Sequence, residues 1–433
     1  MKKLFKFGAD DVAAFHRCVC NEYDSIVNRH VVEQLSCGEQ EIVAMIEVAE
    51  EIITRLRHMG LQRLTKDEVI TSRPARMKKR YRNVRDKELV NKIGKSFIKF
   101  EKHPIKHTEA IPRLIQYRSS EYTLSLARYT IVMEEAIKFK DTFSLGNNGG
   151  FPFVSKGLNA LQKGKILRRM WDNFKNPVAH LIDHSKFDSM VNEFHQLLER
   201  YMMVKVFDCD TLDWLYSFQS DNKFISQNGI KYTFPFRRCS GDANTSLGNS
   251  LINYCILRAC YPKSYIIVDG DDSVVFTEAG VESRFDFTKC GMNTKHEITD
   301  LFEQVEFCQS RPVKTRIGWV MCRNPTRAIS RMNVRLGQCK DMKDFLWTVG
   351  IGEGLASSFM PIISSFAKRF RSLGFGGRFK PWELDYRIKI DRFTNRFEYP
   401  CPETRASFAV AWGISIDEQH AIESRLARTV LYT

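Results

Sequence analysis

Two apolar, β-rich runs, Tyr265-Ile266-Ile267-Val268 and Ser273-Val274-Val275-Phe276, flank Asp269-Gly270-Asp271-Asp272. This pattern reads as a β-hairpin with carboxylates at its tip. A second apolar strand, Val178 to Ile182, runs into Asp183, and Asp188 follows five residues later. Both segments put acids at strand ends, where a rigid sheet can hold them side by side. Close carboxylates repel one another unless cations separate them. Hard oxygen donors of this kind suit Mg²⁺ or Mn²⁺. A pair of such ions about 4 Å apart serves in-line phosphoryl transfer. A lone Gly-Asp-Asp is also an ordinary turn. The weight comes from four acids in this order, with the elements that lie between them.

Between the acids runs Arg237-Arg238-Cys239-Ser240-Gly241-Asp242-Ala243-Asn244-Thr245-Ser246-Leu247-Gly248-Asn249-Ser250, followed by an apolar helix. A Ser-Gly loop lets backbone approach a ligand closely. Thr245 and Asn249 are four apart and project from one helical face. Their hydroxyl and amide suit a ribose 2′-OH, which both donates and accepts; a satisfied helix N-cap is the plainer reading. Upstream, Pro112-Arg113-Leu114-Ile115-Gln116-Tyr117-Arg118 sets two arginines among apolar partners on a β-like alternation. A nucleoside triphosphate carries more charge than two ions facing several aspartates can neutralise, so a guanidinium clamp is expected. Arg113 is the first candidate, with a surface ion pair as the alternative.

The chain has 433 residues, too many for one core, which implies two or three lobes. Its 43% hydrophobic content excludes disorder as the main state. No run approaches the length of a membrane span, and no secretory signal is expected. The formal net charge of +15 points first to nucleic acid and second to an anionic membrane face. The strongest basic run, Arg73 to Arg82, includes Arg76, Lys78, Lys79 and Arg80. It reads as a wall that tracks phosphates, or as a solvated surface. The twelve cysteines form no CxxC pair, so reduced thiols are expected. The His16, Cys18, Cys20, His30 and Cys37 cluster fits no standard finger, and no zinc is expected there. Helices are expected over Glu41 to Met59, Lys156 to Phe174, Ser189 to Lys205, and from Ser415 toward Arg428.

The order Arg113-Leu114-Ile115-Gln116, Asp183-x4-Asp188, Ser240-Gly241-x3-Thr245-x3-Asn249, Gly270-Asp271-Asp272 resembles motifs F, A, B and C of viral RNA-directed RNA polymerases. Lys156-Gly157-Leu158-Asn159, Trp171-x2-Phe174, Ser185-Lys186-Phe187-Asp188, Phe307-Cys308-Gln309 and Arg405-Ala406-Ser407-Phe408 narrow the resemblance to tombusvirus-like replicases of positive-strand RNA viruses. It spans roughly residues 100 to 425.

The resemblance implies an α+β right-hand polymerase, with an antiparallel palm sheet covered by helices. Fingers would take 1–176 and 191–235, palm 177–190 (motif A) and 236–320 (motifs B to E), and thumb 321–433. It implies RNA synthesis on an RNA template, with Asp183 and Asp271 holding two Mg²⁺ ions (Mn²⁺ as substitute) and Asp272 supporting them. Asp188 and Asn249 would read the ribose, with Ser240 and Thr245 shaping that pocket. Arg113, Arg118 and Lys186 would meet the triphosphate. Lys186 stands where relatives often have arginine and lacks its bidentate fork. Lys295, or Lys289 close by, would protonate pyrophosphate. Asp269, where asparagine is expected, adds a carboxylate near the metals. Gly241 and the basic run would touch RNA. Implied partners are RNA, NTPs, other viral replication proteins and, through them, host membranes in the cytoplasm. A reverse transcriptase and a non-catalytic RNA-binding scaffold are the alternative functions.

Overall fold

The computed structural model describes residues 2–5, 12–89, 92–104, 110–138, 145, 148–335, 341–375, 394 and 396–431. The fold is α+β. Its central sheet has four antiparallel strands in the order Thr294–Thr299, Pro177–His184, Asp272–Glu278, Tyr265–Asp269. Val178, Leu181, Ile182, Val274, Val275 and Phe276 supply most of the apolar surface of the two middle strands. That composition fits strands with helices on both faces.

One face of this sheet rests on the buried helix Thr245–Cys260. That helix packs on Glu39–His58 and Glu193–Phe207. The other face belongs to a second core, which gathers Ala160–Trp171, the Ser310–Thr315/Gly318–Arg323 hairpin and the C-terminal helices. Those helices are Met342–Ala356, Ile363–Leu373, Pro402–Trp412 and Ile416–Ala427. A separate sheet runs Leu114–Tyr117, Ile93–Ile98, Asp221–Ser226, Lys231–Pro235, with one parallel pairing at its centre.

Several element ends differ from the sequence expectation, for local reasons. The helix expected from Lys156 begins at Ala160. Gly157 has φ +93°, which a helix cannot accept, and Asn159 forms a capping box with Gln162. The run expected from Ser189 to Lys205 splits into a short turn, Phe187–Met190, and the helix Glu193–Phe207. Asn192 caps the second piece through a box with His195. The last helix opens at Ser415 with the expected Glu418 box. The chain start does not stay with the second sheet. Lys2 and Lys3 pair with Arg335 and Val334, and the Phe5 ring lies against Phe366 and Phe370. Of the C-terminal segment, 336–340 and 376–393 lie outside the described residues.

Candidate active site

Strand register brings the distant acids together. Ser273 pairs with Ile182, so one further step along the same ladder sets Asp272 opposite Asp183. On the other side of the central strand, Lys295 pairs with Asp183. Directly paired residues on antiparallel strands hold their Cβ atoms about 5 Å apart. The hairpin turns through Gly270 at φ +69°, a left-handed conformation that side chains resist.

The buried helix holds that turn. The Gly270 N–H donates to Ser250 Oγ at 2.9 Å. Asn253 Nδ2 donates to the carbonyls of Gly270 and Asp271, at 3.0 and 3.1 Å. The helix that carries Asn249 therefore also positions the backbone that carries Asp271.

The Asp271 carboxyl is held above the usual carboxylate range. Burial is the main cause, and the charges of Asp188 and Asp183 add to it while Arg113 opposes them. Arg29 also faces this field. Burial and the Arg113 charge lower its value, and Asp188, Glu101 and Asp271 raise it. Four acids and two guanidiniums from five chain segments thus share one electrostatic neighbourhood. Among the described residues no three His, Cys, Asp or Glu side chains stand close enough to enclose an ion as placed. The donor set is nonetheless suited to a hard divalent cation: carboxylate oxygens whose mutual repulsion already raises Asp271.

Beside the acids, Asn249 Nδ2 donates to Asp188 Oδ1 at 2.8 Å, and Arg238 Nε donates to Asn249 Oδ1 at 2.8 Å. The Ser240 hydroxyl is turned onto the neighbouring strand and that of Thr245 into its own loop. Ser240 donates to the Leu114 carbonyl at 3.0 Å; Thr245 donates to those of Cys239 and Asp242, at 2.8 and 3.0 Å. The Gly241 N–H donates to the Gln116 carbonyl at 2.8 Å, and a Cβ there would collide with that oxygen. This glycine serves the contact between loop and strand.

A family model described as viral RNA-dependent RNA polymerase matches residues 12–432. The chain belongs to this family of viral RNA-dependent RNA polymerases. It is 32% identical over 370 residues to an RNA-directed RNA polymerase of Oat chlorotic stunt virus (isolate United Kingdom), covering 76% of this chain and 48% of the relative. It is 30% identical over 358 residues to that of Tobacco necrosis virus (strain A), with the same two coverages. With that of Turnip crinkle virus the figures are 29% over 365 residues, 76% and 45%. The chain spans a little under half the length of these polymerases.

Not every residue singled out in this polymerase-family sequence reaches the acids. The Arg118 side chain points into the interior. It is 3% exposed, donates to Asp242 Oδ2 at 3.0 Å and bonds Asn222. Burial alone would lower its value, but the Asp242 charge outweighs that and keeps the guanidinium ionised. Strand alternation is the reason: residues five apart point to opposite faces. Arg113 is on the open face, 44% exposed, with Glu101 at 3.9 Å.

Lys186 adopts φ +54°, and its ammonium donates to the Asn28 carbonyl at 2.8 Å. Asp269 pairs cross-strand with Asp272, and its carboxylate is engaged by other groups. It accepts from Ser155 Oγ at 2.9 Å and pairs with Lys163 at 3.7 Å. The basic run forms the helix Ala75–Arg82, anchored by buried Tyr81 on Val69, Ile70, Leu124 and Ala127. Arg76, Lys79 and Arg80 are exposed and Lys78 is half-buried, while Arg80 also donates to Ser120 at 2.6 Å. The Cys/His cluster is dispersed. Cys18 and Cys20 are exposed, whereas Cys37 lies beside His195 and Asn192.

Sequence reasoning missed Arg29, Ser250 and Asn253, and it gave Arg238 no role. Ser250 and Asn253 left a readable signal: polar residues inside a helix otherwise apolar around its circumference. Arg29 left none. It reaches the acids because Gln34 donates to the carbonyls of Ser189, Val191 and Phe236, and Arg237 donates to those of His30 and Val32.

Proposed function

We propose that this chain copies an RNA template into RNA during viral replication and transcription. One observation carries the reading: the sheet register that brings Asp183 level with Asp272 at the hairpin turn and cross-strand from Lys295, with the Asn249–Asp188 hydrogen bond beside them. Acids gathered in this way at strand ends suit divalent cations and, through them, a polyphosphate. Asp183 and Asp271 would hold two Mg²⁺ ions, or Mn²⁺, with Asp272 in support. Bound there, the ions supply acidity to the attacking 3′-hydroxyl and charge neutralisation to the leaving pyrophosphate.

The chain's own residues do the rest. Asp188 and Asn249 present an acceptor and a donor to the ribose 2′-OH, with Ser240 and Thr245 shaping the loop around it. Arg113 clamps the triphosphate. Lys295, cross-strand from Asp183, is the proton donor to pyrophosphate. Lys289 sits in the Phe287–Lys289 turn, whose backbone accepts from Gly38, a setting that favours Lys295 for this role.

We assign the palm to the central sheet, the fingers to the second sheet with the helices before it, and the thumb to the C-terminal helices. In this assignment Lys2–Phe5 and Ala160–Trp171 join the thumb side. RNA, along the basic Arg76–Arg80 surface and the Ser240-Gly241 loop, and NTPs are the substrates. Other viral replication proteins are the expected partners, on host membranes in the cytoplasm. Among the described residues no helix is long and apolar enough to cross a membrane.

The test is template-directed extension by the purified chain with Mg²⁺. Wild type extends with NTPs, and Asp183→Ala or Asp271→Ala falls to background with RNA binding retained. Extension by either variant overturns the metal assignment. A preference for dNTPs overturns the choice of product.

A further inference from the structure

Asn249 is held from behind as well as facing Asp188. Its Oδ1 accepts from Arg238 Nε at 2.8 Å, while its Nδ2 donates to Asp188 Oδ1. An arginine side chain only donates. The two ends of an amide are hard to distinguish by shape, but beside a guanidinium the oxygen must face the arginine. The Arg238 backbone N–H also donates to the Asp188 carbonyl at 3.0 Å, so one residue touches both members of the pair.

Arg238 is itself fixed. Its guanidinium pairs with Glu199, and the two side chains are 0% and 1% exposed. The second Glu199 oxygen accepts from Tyr216 at 2.8 Å and Asn244 at 2.7 Å. Asn244 and Tyr122 are joined by Gln219, whose amide donates to both, at 3.1 and 2.8 Å. The network ties the Glu193–Phe207 and Asp210–Ser217 helices to the loop before the buried helix. Gly248 leaves room for it: a Cβ there would strike both Glu199 Oε2 and Arg238 Nη2.

We infer that the buried Arg238–Glu199 pair is a positioning device that sets the polarity of the ribose pocket. It keeps the Asn249 amide N–H toward Asp188 and the sugar, so the pocket offers a donor beside the Asp188 acceptor. That combination fits a 2′-OH, which uses both. Without Arg238 the amide oxygen loses its donor and only Asp188 holds the side chain, so the amide can swing out of place beside the sugar. The inference rests on the polymerase reading above.

The experiment is single-nucleotide incorporation with matched NTP and dNTP, comparing Arg238→Lys and the double variant Glu199→Met/Arg238→Met with wild type. Lysine can keep the charge pair but lacks the planar fork that reaches Glu199 and Asn249 together. The double variant leaves no unpaired buried charge. In both, kcat/KM for the ribonucleotide is expected to fall about tenfold relative to the deoxynucleotide, mainly through KM, the size of one lost hydrogen bond to a charged group. A merely structural role would lower both substrates in proportion. Folded variants with the wild-type ratio overturn the inference. Failure of both variants to fold overturns it too, since the pair would then be a determinant of the fold. A wild-type chain that incorporates nothing overturns the polymerase reading instead.

Discussion

In the proposed site, Asp271 and Asn249 carry the most specific roles. Replacing Asn249 with Ala removes the donor facing Asp188, and the ribo-over-deoxy preference should drop about five- to tenfold in a single-nucleotide assay. Buried histidines give a second prediction. Burial pushes His184 and His195 down to about 4, so both are neutral in the fold. The unfolded chain takes up protons near 6.5, earlier than the native one, so stability is complete above that pH. It falls progressively between pH 6.5 and 4, by on the order of 3 kcal/mol for each histidine. Urea melts at pH 7 and 4.5 should show the loss, and a flat profile would refute the assignment of neutral imidazoles. Single residues were also where the sequence was least legible. Arg118 looks like Arg113 in the sequence, yet the odd spacing along one strand sends it into the interior onto Asp242. Asp269 looks like a third hairpin acid and does pair cross-strand with Asp272, but no local pattern showed that Ser155 and Lys163 would engage its carboxylate.

Elements were easier to read than their ends or their partners. Alternation and turn chemistry revealed the hairpin strands and the Pro177–His184 strand, and the Ser415 capping box marked the last helix. A glycine at positive φ and the Asn159 and Asn192 caps trimmed two helices that periodicity alone extends. At this scale Arg118→Met is expected to strand the Asp242 carboxylate beneath the Ser240-Gly241 loop. The cost should be about 3–5 kcal/mol of stability in denaturant unfolding. A change confined to the KM for NTPs, with unaltered stability, would return Arg118 to the triphosphate. Asn253→Leu removes both amide bonds to the Gly270–Asp271 turn. It should cost about 2–3 kcal/mol and lower incorporation through kcat rather than KM, because the turn carries an acid. Unchanged kcat in a folded Asn253→Leu would show that the turn holds itself.

For the whole molecule, the +15 charge makes a prediction about salt. Replacing Arg76, Lys79 and Arg80 with Gln together should weaken RNA binding. It should also flatten the plot of log affinity against log salt, by about 0.7 per lost phosphate contact on single strands. An unchanged slope would make this helix an ordinary solvated face. The sequence by itself determined which chemistry was possible: acids at the ends of apolar strands, a small-residue loop before a helix, and a cationic surplus. Those properties are local, since side-chain type and the two-residue strand period are written in adjacent positions. Tertiary structure alone decided which charges meet. The sheet register set Asp183 beside Asp272 and Lys295. Side-chain hydrogen bonds from Gln34 and Arg237 to backbone carbonyls brought Arg29 near the acids, and burial turned Arg238 and Glu199 into a support for Asn249. Such meetings join segments up to about two hundred residues apart. They depend on how the cores close around the strands, which no local pattern encodes.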